Sequence, residues 1–292
     1  MEVSVGRLAG FCPGVKSAVE GTKRLLESQS EVYCVGELAH NRQVIKDLRK
    51  SGLNVVDTVE EVPKGACVIF RAHGMPKKAY TVATRRNLKL YDYTCNKVRA
   101  LHDKVEFKAM DGKYIFLFGD KDHVEVEGTV GFTRDNNISV ISEKKDIDEA
   151  FKKFDKSLKD EIFVLAQTTF SLKKFDEFAE IIKREVQNRY DTRVELEIQN
   201  TICMATELRQ KEAVEMAEKV DYMVIVGGKN SANTKKLYDI AKEKCKDAIH
   251  IETKDELKKV DFSNVKKVGI MAGASTPKES IDGVKEYLES LK

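Results

Sequence analysis

Tyr33-Cys34-Val35-Gly36, Phe116-Leu117-Phe118-Gly119 and Ile225-Val226-Gly227 are one strand end written three times, and each glycine stands 24 residues after a cysteine: Cys12, Cys95 and Cys203. Four residues beyond each glycine comes a polar side chain: His40, His123 and Ser231. A second apolar run in each copy closes on a small polar loop, Arg71-Ala72-His73-Gly74, Ala166-Gln167-Thr168-Thr169 and Ala272-Gly273-Ala274-Ser275-Thr276. The chain is a threefold internal repeat with one thiol in each copy.

Within each copy the periodicity predicts helix, strand, helix, strand, helix, strand. Val15, Ala18, Val19, Leu25 and Leu26 follow helical spacing after Cys12, as do Val98, Leu101, Val105 and Ala109 after Cys95. Leu208, Val214 and Ala217 are a sparser third version. Tyr114 to Phe118 and Met223 to Val226 are short continuous apolar runs, the pattern of strands covered on both faces of a parallel sheet. Strands alternating with helices give α/β units with right-handed crossovers. A strand-like segment precedes each cysteine (residues 2–5, 89–93 and 194–198), yet nothing follows the last helix, residues 281–291. The N-terminal strand is therefore expected to complete the third sheet.

The expected fold class is α/β: three pseudo-threefold-related units with small parallel sheets around a central cavity. The units are residues 1–95, with strand 1–11 lent to the third sheet, 96–202 and 203–292. Ligands of open parallel sheets bind beyond the carboxyl ends of the strands, and every polar loop quoted above lies at such an end. The loops and the three thiols are expected to converge there.

Bulk properties fit an intracellular enzyme. With 292 residues the chain can bury a sizeable core. Lys and Arg number 51 against 48 Asp and Glu, so the net charge of +3 gives no field to recruit nucleic acid or a membrane surface. The first residues lack a secretory pattern, and no apolar run approaches the ~20 residues of a membrane span. Six cysteines in such a chain read as metal or redox chemistry rather than a disulfide framework. The expected location is cytoplasmic.

Three cysteines at helix starts make a trigonal ligand set, since a helix N-terminus favours the metal-binding thiolate. With no fourth matching cysteine, one coordination position stays open to substrate. Soft sulfur suits zinc, copper(I) or an iron-sulfur cluster; zinc with three cysteines normally adds a nearby histidine. Cys34, Cys67 and Cys245 have no counterparts across the repeats and read as buried apolar residues.

At these positions the chain resembles the 4-hydroxy-3-methylbut-2-enyl diphosphate reductases, which catalyse the last step of the non-mevalonate isoprenoid route. The ordered motifs are Gly10-Phe11-Cys12-Pro13-Gly14-Val15, His40-Asn41, Ala72-His73-Gly74, Asp92-Tyr93-Thr94-Cys95, His123-Val124-Glu125-Val126, Gln167-Thr168-Thr169, Asn200-Thr201-Ile202-Cys203, Lys229-Asn230-Ser231 with Asn233, and Ala272-Gly273-Ala274-Ser275. The resemblance implies a 4Fe-4S cluster on Cys12, Cys95 and Cys203, with the open iron taking the substrate hydroxyl. It implies a diphosphate pocket of His40, His73, His123, Ser231, Asn233 and Ser275. Glu125 becomes the proton donor, and Thr168 the residue that bonds the departing hydroxyl or relays its proton. Taken without the motif, Glu125 reads as a solvated loop carboxylate beside Glu127. The implied partners are an allylic diphosphate and an electron donor such as ferredoxin or flavodoxin, acting on a monomer.

Four residues depart from the family pattern. Val124 replaces a proline, which leaves Glu125 less rigidly held; Ala232 replaces a second pocket serine; Tyr93 and Asn96 flank Cys95 where alanine and proline are usual. Ala232 is expected to weaken diphosphate binding, and Asn96 to put a polar group beside the cluster. Two other classes share parts of this pattern: quinolinate synthase, a lyase with one cluster cysteine per α/β unit, and a non-catalytic cluster sensor. The motif order argues against the lyase. Gly227-Gly228-Lys229-Asn230-Ser231 lacks the spacing of a nucleotide loop. His102 and His250 read as satisfied structural histidines, and Lys144 to Lys159 as a solvated helix face and loop.

Overall fold

The continuous apolar runs become buried strands. The computed structural model describes residues 1–133 and 137–291. Its strands are β1 (Glu2–Val5), β2 (Val32–Val35), β3 (Leu53–Val56), β4 (Cys67–Phe70), β5 (Lys89–Asp92), β6 (Tyr114–Phe118), β7 (Ile138–Ile141), β8 (Glu161–Ala166), β9 (Glu195–Ile198), β10 (Tyr222–Val226), β11 (Asp247–Ile251) and β12 (Lys267–Ala272). Its helices are α1 (Pro13–Ser28), α2 (Arg42–Lys50), α3 (Lys77–Arg85), α4 (Asn96–Met110), α5 (Val124–Val130), α6 (Asp146–Ser157), α7 (Leu172–Tyr190), α8 (Met204–Ala217), α9 (Ala232–Lys244) and α10 (Lys278–Ser290). They form three small four-stranded parallel sheets, ordered β1-β12-β10-β11, β3-β2-β4-β5 and β7-β6-β8-β9. The chain divides into two compact units, residues 1–55 with 204–292, and residues 56–203. We propose the repeat boundaries 1–95, 96–202 and 203–292 as the underlying α/β units.

In the first compact unit β1 lies beside β12, with Val3 opposite Val268 and Val5 opposite Ile270. The run in β10 needs no polar residue because both of its faces are covered. Val224 and Val226 pack with Ile270, Ile281, Val284 and Leu288. Met223 and Ile225, pointing the other way, pack with Leu237, Ile240 and Met271.

The second unit repeats this division on β6. Phe116 and Phe118 join Phe151, Phe154, Phe175 and Phe178 on one face, while Ile115 and Leu117 join Leu101, Val105, Val126 and Phe163 on the other. Edge strand β9 alternates instead: Glu195 and Glu197 are exposed, and Leu196 and Ile198 half-buried. One covered face explains that alternation.

Each repeat contains one strand more than its periodicity predicts and one more helical segment: the 3-10 turns Val59–Glu61 and Lys254–Lys259 in the first and third, and α6 in the second. The extra strands β3, β7 and β11 all lie at sheet edges. Exposure lets β3 carry Asn54 and β11 carry half-buried His250, while Ser139 of β7 is buried and satisfied by the Tyr114 hydroxyl at 3.0 Å, so these strands lack a continuous apolar run. The charged segment at Lys144 to Lys159 does present a solvated helix face, and it has a buried one as well. It contains α6, whose Ile147, Ala150, Phe151 and Phe154 are buried at helical spacing beneath the charges. Among the described residues no helix is long and apolar enough to cross a membrane.

Phe116 is fully buried and meets the rings of Tyr114, Phe151 and Phe154 edge-on. Phe116→Ala should destabilise the protein by about 3–5 kcal/mol. Urea unfolding followed by circular dichroism measures this, and a loss under ~1 kcal/mol would contradict the packing described.

Candidate functional site

Each repeat fixes its cysteine by the same backbone hydrogen bond. Cys12 N–H donates to the Ala274 carbonyl at 3.1 Å, Cys95 N–H to Ala72 at 3.0 Å, and Cys203 N–H to Thr168 at 2.9 Å. Each acceptor belongs to the polar loop after the strand neighbouring the one that leads to the cysteine. Cys12 and Cys95 are the N-cap residues of α1 and α4, and Cys203 immediately precedes α8. Cys12 Sγ accepts a hydrogen bond from Val15 N–H at 3.5 Å, so its sulfur faces the positive end of α1.

In the unit of residues 56–203 the decisive side chain is Glu125, the second residue of α5. It is 1% exposed, whereas Glu127 is exposed. This corrects the reading of Glu125 as a solvated loop carboxylate. Thr168 N–H donates to Oε1 at 2.6 Å and Thr168 Oγ1 donates to Oε2 at 2.8 Å. Burial lifts its pKa from 4.5 to about 7, against the opposing pull of those two bonds. Although Val124 stands where proline is usual, the Glu125 carboxyl is held by the two Thr168 bonds. Val124 occupies the first helical position, where proline is merely one acceptable residue.

His123 caps α5 through Nδ1, which accepts from Glu125 N–H at 3.1 Å. Burial lowers its pKa, which favours the neutral ring, and with Nδ1 accepting, the proton of that ring sits on Nε2. The His73 ring lies edge-on to it, centroids 5.8 Å apart. Gly74, next to His73, has φ +78°, and a Cβ there would overlap the His102 ring. Only glycine meets both demands. His102 is buried on α4, stacks on Phe132 at 4.3 Å, and is held neutral by burial, with a pKa of about 4. Its Nε2 has no hydrogen-bond partner among the described residues, so it is structural without being satisfied.

In the unit of residues 1–55 and 204–292, Ser231 caps α9 by accepting from Thr234 N–H at 3.3 Å. Asn233 and Ser275 are buried, at 5% and 6% exposure, and Asn233 Nδ2 has no partner among the described residues. A buried amide donor left open is an invitation to an anionic ligand. The register of the polar residues slips by one in the first repeat. His123 and Ser231 are N-caps, whereas α2 is capped by Asn41, whose Oδ1 accepts from Gln43 and Val44 N–H at 3.1 and 3.2 Å. His40 precedes that cap, and its carbonyl packs against Gly228. His250 Nε2 is bonded to the Gly227 carbonyl at 2.9 Å, a satisfied structural role.

Two supports have no role in the motif reading, though Asp92 and Thr94 stand within one of its motifs. Asp92 Oδ1 accepts from both N–H and Oγ1 of Thr94, at 2.9 and 2.5 Å, and its Oδ2 accepts from Arg99 at 3.1 Å, bracing the turn into Cys95. Buried Arg209 donates to the carbonyls of Leu8 and Gly10, bracing the turn into Cys12. An Asp two residues before a Thr signals the first; no local pattern announces the second. Asn96 is exposed at the start of α4.

The family model described as LytB protein matches residues 3–289. The 4-hydroxy-3-methylbut-2-enyl diphosphate reductase of Aquifex aeolicus is 38% identical over 294 residues, covering 100% of this chain and 97% of the relative. The enzyme of that name from Caldanaerobacter subterraneus is 36% identical over 296 residues, covering 100% and 98%. Among solved structures, the E-1-hydroxy-2-methyl-but-2-enyl-4-diphosphate reductase of Plasmodium falciparum superposes with a TM-score of 0.84 at 27% identity, covering 99% of this chain and 87% of that one. A second, described as the terminal enzyme of the non-mevalonate pathway, gives a TM-score of 0.70 at 39% identity over 99% and 100% of the two chains. With its motifs in order and its whole length matched, the chain belongs to the LytB protein family, the family of these reductases.

Proposed function

We propose that this protein reductively removes the hydroxyl of 4-hydroxy-3-methylbut-2-enyl diphosphate, giving isopentenyl and dimethylallyl diphosphate. The reaction consumes two electrons and two protons; one proton leaves with the hydroxyl as water and the other ends on carbon. The observation that carries this reading is the buried Glu125–Thr168 pair, with Thr168 also accepting from the Cys203 backbone. It places a carboxyl that is protonated near neutrality one hydroxyl away from a cysteine-bearing turn.

An all-cysteine donor set of one thiol per repeat, with no histidine in a matching place beside the cysteines, suits an iron-sulfur cluster. Cys12, Cys95 and Cys203 would hold a 4Fe-4S cluster, supplying electrons and a Lewis-acidic iron. His40, His73, His123, Ser231, Asn233 and Ser275 supply imidazole, hydroxyl and amide donors to the diphosphate. Protonated Glu125 donates through Oε2 to Thr168 Oγ1, which turns the threonine hydrogen toward the departing hydroxyl. Each turnover then requires Glu125 to be reprotonated. A ferredoxin- or flavodoxin-like donor delivers electrons to a monomer in the cytoplasm.

Glu125→Gln should retain its iron, since no ligand is touched, and lose roughly 10²–10⁴-fold in turnover. Iron content and steady-state kinetics measure the two, and unchanged turnover removes Glu125 from the mechanism. Wild-type turnover should fall as pH rises through about 7, where Glu125 loses its proton. The same group acts on stability. Its folded pKa stands above the ordinary 4.5, so its contribution is fully present below about 4.5 and lost as pH rises through about 7. Urea midpoints of the apoprotein across that window should decline less steeply in Glu125→Gln; parallel slopes would contradict the raised pKa.

Ala232, the first residue of α9, leaves one fewer hydroxyl beside Ser231. Ala232→Ser should lower KM about two- to tenfold, the worth of one added hydrogen bond. An unaltered KM would show that this position does not meet the diphosphate.

A further inference from the structure

The loops that carry His40 and Ser231 are joined by contacts that no phosphate ligand needs to supply. A Cβ added to Gly228 would overlap the His40 carbonyl oxygen and lie 3.2 Å from its carbonyl carbon, so the two loops meet backbone to backbone. Beside that contact Asn230 Nδ2 donates to Glu37 Oε2 at 3.3 Å. The opposite side of the same loop is tied down as well: Lys229 N–H donates to Glu252 Oε1 at 2.9 Å and Lys229 Nζ to Glu256 Oε2 at 2.8 Å. Glu256 is itself fixed by the N–H groups of Glu252 and Thr253, at 2.7 and 3.2 Å. One short loop is thus stitched between Glu37 and Glu252–Glu256 and ends in the Ser231 cap.

We infer that Glu37, Gly228 and Asn230 are positioning residues for the diphosphate: the Gly228–His40 contact and the Asn230–Glu37 bond set the separation of His40 from Ser231 and Asn233, and so select a ligand with two linked phosphoryl groups over one. This rests on the diphosphate reading given above. The physical reason is preorganisation. Donors on two independent loops pay to be brought together on binding, whereas a latched pair has already lost that freedom. The carboxylates serve by fixing backbone and amide groups.

Calorimetric titration of reconstituted protein with inorganic pyrophosphate and with inorganic phosphate tests this, alongside KM and kcat for the substrate. Wild type should prefer pyrophosphate. Glu37→Ala and Asn230→Ala should each weaken pyrophosphate binding and raise KM about three- to tenfold, the effect of losing one hydrogen bond, with kcat and iron content unchanged. The double variant should be no worse than either single change, because both remove the same interaction. Glu37→Gln, whose amide oxygen still accepts from Asn230, should bind within about twofold of wild type. Gly228→Ala should show the larger loss. Wild type that fails to bind pyrophosphate overturns the diphosphate reading and this inference together. Wild type that binds it, with Glu37→Ala and Asn230→Ala indistinguishable from it, overturns the latch alone. A uniform fall in kcat and iron content would assign these residues to general stability and also overturn it.

Discussion

The hydrogen bond from each cysteine N–H to the polar loop of the adjacent strand is the constraint on which the site depends. It is made three times, between 2.9 and 3.1 Å, in three repeats whose sequences otherwise share little. Parallel strands supply the reason. Neighbours in a parallel sheet end at the same side, so the turn leaving one strand lies within reach of the turn leaving the next. A thiol at the start of a helix and a polar side chain at a strand end are therefore locked together by backbone alone. The polar loops can vary among His73, Thr168 and Ser275 while the cysteine beside each stays fixed.

Burial then divides the work among similar side chains. Glu125 and Glu127 are two residues apart on one helix, yet only the first is withdrawn from water, and that burial raises the Glu125 pKa to about 7. His123 and His102 are both neutral through burial, but His123 is oriented by a helix cap, while His102 fills the space left by Gly74. The chemistry lies in the surroundings rather than in residue type.

The sequence made the repeat legible because both faces of β6 and β10 are covered, which forces the continuous apolar runs that mark a buried parallel strand. Edge strands β3, β7 and β11 escaped because polar residues interrupt them: Asn54 and His250 where the edge is open to water, and buried Ser139 where the Tyr114 hydroxyl satisfies it. The strand β1 was legible as one of the three strand-like segments that each precede a cysteine, and it pairs with β12 as β5 pairs with β4 and β9 with β8. At the site the cysteines and histidines were visible by register, though the register hid that Asn41, not His40, caps α2. Glu125 could not be told from Glu127 without a motif, because burial is tertiary. Arg209 and the Glu37–Asn230 bond were invisible, as each joins segments about 200 residues apart.

The account is tested most directly by anaerobic addition of 4-hydroxy-3-methylbut-2-enyl diphosphate to cluster-reconstituted protein in the presence of a reduced viologen dye. It predicts dye oxidation that depends on the substrate, with two electrons consumed for each molecule converted to isopentenyl or dimethylallyl diphosphate. Protein with a full complement of iron and sulfide that leaves both dye and substrate unchanged would contradict it.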